Sequence, residues 1–150
     1  LGLYHNTELV TLMTFGGLRK PMGETSKVGN YELLRFCNKL DTTVIGGANK
    51  LLQYFIKAHA PQKIISYADR RWSQGELYEK LGFNFIHNSK PNYWYVINNI
   101  RAHRFMYRKN LLVNQGHDKN KSEHEIMLER KIYRIYDCGS KRYELAFNQT

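Results

Sequence analysis

The chain has 150 residues, 42% of them hydrophobic and 13% aromatic, which is enough for one folded domain and excludes a disordered tail. Lysine and arginine number 23 against 13 aspartate and glutamate, and the net charge of +10 favours a polyanionic partner, either nucleic acid or the phosphates of a cofactor. No apolar run is long enough to span a membrane and no signal peptide is visible, so we expect no membrane partner.

The cysteines and histidines form no pattern typical of a metal site. Cys37 and Cys138 lie far apart, neither belongs to a CxxC pair, and the six histidines lack metal-ligand spacing. We therefore predict no metal, no disulfide framework and a reduced, cytoplasmic setting. The chain begins with Leu1 and opens directly on a strand pattern, which we interpret as a fragment of a longer protein.

The first half of the chain alternates between strand and helix patterns. Leu51, Leu52, Phe55 and Ile56 have helical spacing, and Pro61 follows as a stop signal. In chain order, the predicted elements are a hairpin over 3–15 turning at Asn6-Thr7, a mobile loop over 16–30, a strand over 31–38, a helix over 47–59, a strand over 63–68 and a helix over 73–81 with Ser73 and Glu76 as its capping box.

The second half of the chain carries shorter elements. These are two strands over 83–86 and 93–97 joined by a turn near 88–91, a short strand over 104–108, a polar loop over 114–121, a helix over 122–130 with the capping box Ser122 and Glu125, and a hairpin over 132–147 turning at 138–140. The order β-β-β-α-β-α-β-β with an α-β-β tail predicts an α/β fold whose mixed sheet has at least one parallel pair. We expect a single domain over 1–150, with a core over 1–109 and a C-terminal extension over 110–150.

The segment Thr43–Lys50 joins a predicted strand to a predicted helix and contains Gly46 and Gly47. Small residues let the backbone approach a ligand closely, and a helix N-terminus presents unpaired N–H groups and a partial positive charge. Such a segment can bind a pyrophosphate. A plain helix start explains the same residues, and the pattern alone leaves both interpretations open.

The residues around this segment resemble the GNAT N-acyltransferases. Without a gap, the stretch from Glu32 to Leu52 gives Glu-Leu-x-Arg on the strand, Thr43-x-x-Gly46-x-Ala48 where the family has Gln/Arg-x-x-Gly-x-Gly/Ala, and Lys-Leu-Leu on the helix. The resemblance implies a GNAT-like fold, a central mixed sheet flanked by helices, that binds acetyl-CoA or another acyl-CoA. The cofactor contacts that it implies are Phe36, Cys37, Thr43, Val44, Gly46, Gly47, Ala48, Asn49 and Lys50.

A second match to the family lies at Leu77–Phe83, which reads Leu-Tyr-Glu-Lys-Leu-Gly-Phe. In the family the tyrosine of this motif protonates the departing CoA thiolate, which implies that role for Tyr78. A phenol is a reasonable acid for a thiolate, although a tyrosine packed between helix and sheet explains the residue equally well. A general base for the attacking ammonium has no motif here, and the residues that we consider for it are Glu32, Asp69 and His87.

Basic and aromatic residues are interleaved in two stretches. Such residues can hold phosphates and stack on bases, or they can be ordinary solvated charges. The residues that we consider for nucleic-acid contact are Arg70, Arg71, Trp72, Arg101, Arg104, Arg108 and Lys109.

Three stretches, at 31–39, 65–83 and 134–139, are similar to a phage domain that often follows a nuclease domain of the homing-endonuclease kind. This resemblance implies a phage-encoded protein acting in the cytoplasm of a bacterial host, with an upstream nuclease domain as a further partner. Two functions follow for the chain. One is an acyl-CoA-dependent N-acyltransferase acting on an unknown amine, and the alternative is a non-catalytic DNA-binding accessory domain.

Overall fold

The computed structural model describes residues 1–19, 23 and 25–147. The strands are β1 (Gly2–His5), β2 (Glu8–Gly16), β3 (Asn30–Asn38), β4 (Lys63–Asp69), β5 (Asn84–Asn88), β6 (Tyr93–Ile97), β7 (Ile100–His103), β8 (Tyr133–Tyr136) and β9 (Ser140–Ala146). The α-helices are α1 (Gly47–His59), α2 (Glu76–Lys80), α3 (Lys109–Asn114) and α4 (Glu123–Glu129), and a 3₁₀ helix covers Arg104–Tyr107.

The chain divides into two compact units. The first is Leu1–Ser89 with Ser140–Thr150, and the second is Lys90–Gly139. The second unit is thus an insertion between β5 and β9. This division differs from the predicted core over 1–109 and extension over 110–150, because the segment 90–109 belongs with 110–139 and β9 belongs to the first unit.

The first unit is built on a mixed sheet, which in the described part of the chain has the order β1-β2-β3-β4-β9-β5. β3 and β4 are parallel, and the neighbouring pairs are antiparallel. Helices α1 and α2 contribute to the core that covers this sheet. The core includes Met13, Leu33, Leu52, Phe55, Ile64 and Tyr143.

Helix α1 forms over the predicted residues because its apolar positions face the sheet. Leu51, Leu52 and Phe55 are buried, and the Phe55 ring stacks on Phe15 at 3.6 Å between centroids. The helix ends at Ala60, which has a left-handed backbone with φ of 41° and precedes Pro61. Pro61 therefore marks the end of α1, as the sequence predicts.

The second unit packs a small antiparallel sheet, with the order β7-β6-β8 among the described residues, against α3 and α4. Its core contains Tyr95, Leu112, Ile126 and Met127. The capping box of α4 is present: the Ser122 hydroxyl accepts from the Glu125 amide, and the Glu125 carboxylate accepts from the Ser122 amide.

Several local predictions are wrong. Helix α2 spans only Glu76–Lys80 and is preceded by Gly75 in a left-handed conformation, so Ser73 and Glu76 form no capping box. The Ser73 hydroxyl accepts from the Gly75 amide instead. The predicted strand over 104–108 is the 3₁₀ helix, and α3 was not predicted.

The strands predicted over 83–86 and 93–97 do not pair with each other, and the hairpin predicted over 132–147 does not form. β5 pairs with β9 in the first unit, whereas β6 pairs with β7 and β8 in the second. β8 and β9, predicted as hairpin partners, likewise belong to different sheets. The loop predicted over 16–30 lies in part outside the described residues. Among the residues that the structure describes, no helix has both the length and the apolar character needed to cross a membrane.

Candidate functional site

The parallel strands β3 and β4 pair over a short stretch and then separate. Their register joins Asn30 with Lys63 through Glu32 with Ile65, although both strands continue well beyond that point. Just past the last pair, the buried Ser66 hydroxyl donates to the Leu33 carbonyl at 2.8 Å. The carboxyl-terminal parts of the two strands therefore splay apart, and such an opening at the carboxyl ends of parallel strands is where ligands bind in α/β sheets.

The segment that follows β3 borders a cavity of about 680 Å³. Two segments line the cavity. The connection from β3 into α1 contributes Thr42, Thr43, Val44, Ile45, Gly46, Gly47 and Lys50. The β1–β2 hairpin contributes Leu3, Tyr4, His5, Glu8 and Val10. Five of the predicted cofactor contacts thus line one cavity. At its rim Lys39 pairs with Glu8 at 2.5 Å between Nζ and Oε1.

The N-terminus of α1 opens onto this segment. Gly46 precedes the helix with φ of 72°, a conformation that suits glycine, and no side chain caps the helix. The Lys50 amide donates to the Gly46 carbonyl at 2.9 Å, whereas the amides of Ala48 and Asn49, in the first turn, have no acceptor within the helix. Uncapped amides and the helix dipole make this end suited to an anion.

Four predicted cofactor contacts, Phe36, Cys37, Ala48 and Asn49, do not line this cavity. Phe36 and Cys37 lie on the part of β3 that has already left β4, where Phe36 packs against the core and Cys37 is exposed. Ala48 is buried in the core of the first unit. Asn49 and Lys50 are exposed at the first turn of α1.

Tyr78 on α2 lies on the other side of the splay. Its ring packs on Phe83 and Tyr143, with centroids at 5.7 and 5.2 Å. Burial raises the pKa of the phenol above its ordinary value of 10.0, the nearby Ser66 hydroxyl lowers it in part, and the charge of Glu32 raises it further. A phenol with a raised pKa keeps its proton at neutral pH, which is the state that an acid requires.

The three residues considered as general base differ in their surroundings. Glu32 is 1% exposed and its carboxylate accepts from Arg19 Nε at 2.9 Å to each oxygen. Asp69 is bound by Arg71, whose hydrogen bonds lower the pKa of the carboxyl group. His87 lies on the exposed strand β5. Of these three residues, Glu32 is the one whose charge raises the pKa of Tyr78.

The residues considered for nucleic-acid contact fall in both units. Arg70, Arg71 and Trp72 follow β4 in the first unit, and Trp72 is 82% exposed. In the second unit, guanidinium groups lie over aromatic rings, Arg101 over Trp94 at 4.9 Å, Arg104 over Tyr93 at 5.3 Å and Arg108 over Phe105 at 4.6 Å. Lys109 is exposed at the start of α3.

Metal-ligating side chains do not gather anywhere in residues 1–19, 23 and 25–147, where no three His, Cys, Asp or Glu form a group that could hold an ion. No sequence signal indicated the hairpin residues that line the cavity or Ser66, because these contacts join segments far apart in the chain. Arg19 could not be paired with Glu32 from sequence for the same reason.

Comparison with known proteins finds a likeness among solved structures. No family model matches the chain, and no curated protein is similar to it. Among solved structures, the chain is similar to the crystal structure of a Bacillus subtilis acetyltransferase in complex with CoA, with 13% identity and a TM-score of 0.50 over 97% of this chain and 74% of that one. With the mixed sheet and its flanking helices, this likeness confirms the predicted GNAT-like α/β fold.

Proposed function

We propose that the chain is an acyl-CoA-dependent N-acyltransferase that transfers an acyl group, acetyl in the simplest case, to an amine. The observation that carries this proposal is the separation of β3 from β4 after three paired positions, with the open N-terminus of α1 on one side and Tyr78 on the other. The similar Bacillus subtilis structure is an acetyltransferase that holds CoA, which supports the same ligand for this opening.

In the proposed reaction, the diphosphate of acyl-CoA binds at Gly46, Gly47 and the first amides of α1, and the pantetheine arm lies between the splayed strands. The amine nitrogen attacks the thioester carbonyl carbon, so that a C–N bond forms and the C–S bond breaks. The Tyr78 phenol gives its proton to the departing sulfur, and the proton released by the amine restores the phenol through solvent. Glu32 is too enclosed by Arg19 to meet an acceptor directly, so we assign it an electrostatic role on Tyr78.

Calorimetry with CoA and acetyl-CoA tests this proposal. We expect saturable heat at cofactor concentrations up to about 1 mM, a range in which enzymes commonly bind their substrates. Release of free thiol from acetyl-CoA in the presence of a panel of amines then reports transfer. Absence of heat with the folded chain would contradict the proposal.

A second function, nucleic-acid binding, is favoured by one observation in the second unit. Lys90–Gly139 carries ten Lys and Arg against five Asp and Glu, and Arg101, Arg104 and Arg108, like Arg134, place their guanidinium groups over aromatic rings. A stacked guanidinium keeps its edge N–H groups available to phosphate. We expect a gel shift with duplex DNA at low salt that weakens when Arg101, Arg104 and Arg108 are replaced by glutamine. Phage origin, a bacterial cytoplasmic setting and an upstream nuclease stay predictions.

A further inference from the structure

An exposed tryptophan is held on an ordered turn after β4. The Asp69 carbonyl accepts from the amides of Trp72 and Ser73, each at 3.0 Å, and the Asp69 carboxylate accepts from the Arg71 amide at 3.0 Å. The backbone of Trp72 is therefore fixed, yet its side chain is 82% exposed. A tryptophan gains most of its stabilisation from burial, so a rigid turn that presents the indole to solvent points to a ligand that covers it.

This turn and the segment that precedes α1 leave the sheet at the same edge. β3 and β4 are parallel, so their carboxyl ends meet one edge of the sheet, and the chain leaves β3 toward α1 and β4 toward Trp72. Both helices pack on the same face, because Tyr31 contacts α1 and pairs with Ile64, and Ser66, two residues further along β4, interacts with Tyr78 of α2. The two connections therefore flank the open end of the splay together.

The chemistry of the turn fits a flat ring that carries a phosphate. Trp72 offers a stacking face, and Arg70 beside it supplies positive charge, while the Arg71 guanidinium is paired with Asp69. In the proposed binding mode, a CoA whose diphosphate rests on the N-terminus of α1 would extend its adenosine 3′-phosphate beyond the open end of the splay. We propose that Trp72 stacks on the adenine of acyl-CoA and that Arg70 attracts its 3′-phosphate. This inference rests on the proposed function and names the residues that recognise the nucleotide end of its cofactor.

Tryptophan fluorescence provides a direct test, because Trp72 and Trp94 are the two tryptophans of the chain. In a Trp94→Phe background, we expect CoA and adenosine 3′,5′-bisphosphate to quench Trp72 and pantetheine to leave it unchanged. Trp72→Ala should weaken CoA about tenfold, as removal of an aromatic platform does for a stacked base, and should not change the affinity for pantetheine. Arg70→Ala should abolish the preference for CoA over dephospho-CoA.

Tyr133→Ala is the matched control, since it removes another exposed aromatic side chain, on β8 of the second unit. It should bind CoA as the parent chain does. If CoA gives calorimetric heat while Trp72 is not quenched and Trp72→Ala binds normally, the inference is overturned and the transferase proposal stands. If CoA gives no heat at all, both fail. Quenching by a single-stranded oligonucleotide that CoA does not displace would overturn the inference in favour of nucleic acid.

Discussion

Each unit of the protein encloses a tyrosine whose pKa is raised, but the two protons are held differently. Tyr95 in the second unit donates to Glu123 Oε1 at 2.7 Å, and Tyr93 donates to the same oxygen at 2.7 Å. Burial and this carboxylate raise the pKa of Tyr95. Tyr78 in the first unit has no carboxylate acceptor of this kind among its described contacts, and the Ser66 hydroxyl beside it lowers its pKa instead.

A raised pKa alone therefore does not identify a tyrosine as a general acid. The proton of Tyr95 is committed to a neighbouring carboxylate that also contacts Arg134, so it stabilises the fold. In the proposed mechanism, the proton of Tyr78 faces the opening between β3 and β4 and passes to the departing thiolate.

The largest effect is expected for Tyr78→Phe. Loss of the acid should lower kcat about 100-fold with little change in KM, since general acid catalysis contributes at least that much. The ring contacts with Phe83 and Tyr143 remain, so the fold should persist. Steady-state kinetics measure the effect. The matched variant Tyr95→Phe should leave kcat unchanged, and equal loss in both variants would contradict the contrast.

Glu123→Ala tests whether the hydrogen bonds to Glu123 stabilise the second unit. The change leaves Tyr93, Tyr95 and Arg134 without their shared acceptor, and we expect a loss of about 2 kcal/mol in the free energy of unfolding. Glu123→Gln keeps an acceptor oxygen and should lose less. Urea denaturation followed by circular dichroism measures both variants, and calorimetry should show unchanged CoA affinity. A change in CoA affinity would contradict the separation of roles.

Gly46→Ala tests the proposed diphosphate site at the N-terminus of α1. A left-handed backbone strains any residue with a Cβ atom, by about 1 kcal/mol, and the strain should distort the segment that precedes α1. We expect CoA affinity to fall about tenfold. Gly116→Ala imposes a similar strain, at φ of 93°, in the second unit and serves as the control. The idea fails if both variants bind CoA equally.

The smallest effect concerns the turn that carries Trp72. Arg71 lowers the pKa of Asp69, so the stabilisation from this pair is present above the unfolded pKa and is lost as pH falls through the folded one. Because both side chains are more than one third exposed, we expect less than about 1 kcal/mol. Asp69→Asn should reduce the difference in urea midpoint between pH 7 and pH 3. An unchanged difference would show that Asp69 does not contribute to the pH dependence of stability.

Much of the first unit could be predicted from local pattern. The hairpin at Asn6-Thr7, the strand at 31–38 and the helix at 47–59 follow from apolar spacing, turn residues and Pro61, which act over a few residues. The glycines before α1 and the motif at Tyr78 likewise mark their elements locally. The segment that precedes α1 and the helix that carries Tyr78 could therefore be predicted before any tertiary contact was known.

Strand partners were decided only by the tertiary structure. β5 and β6 follow one another in sequence, as do β8 and β9, yet each pair is divided between two sheets because the insertion 90–139 builds its own core. The splay between β3 and β4, the Ser66 bond to Leu33 and the cavity wall from the β1–β2 hairpin depend on the same long-range pairing. Side-chain periodicity sets which face of a strand is apolar, but the packing of the whole chain selects the strand that lies beside it.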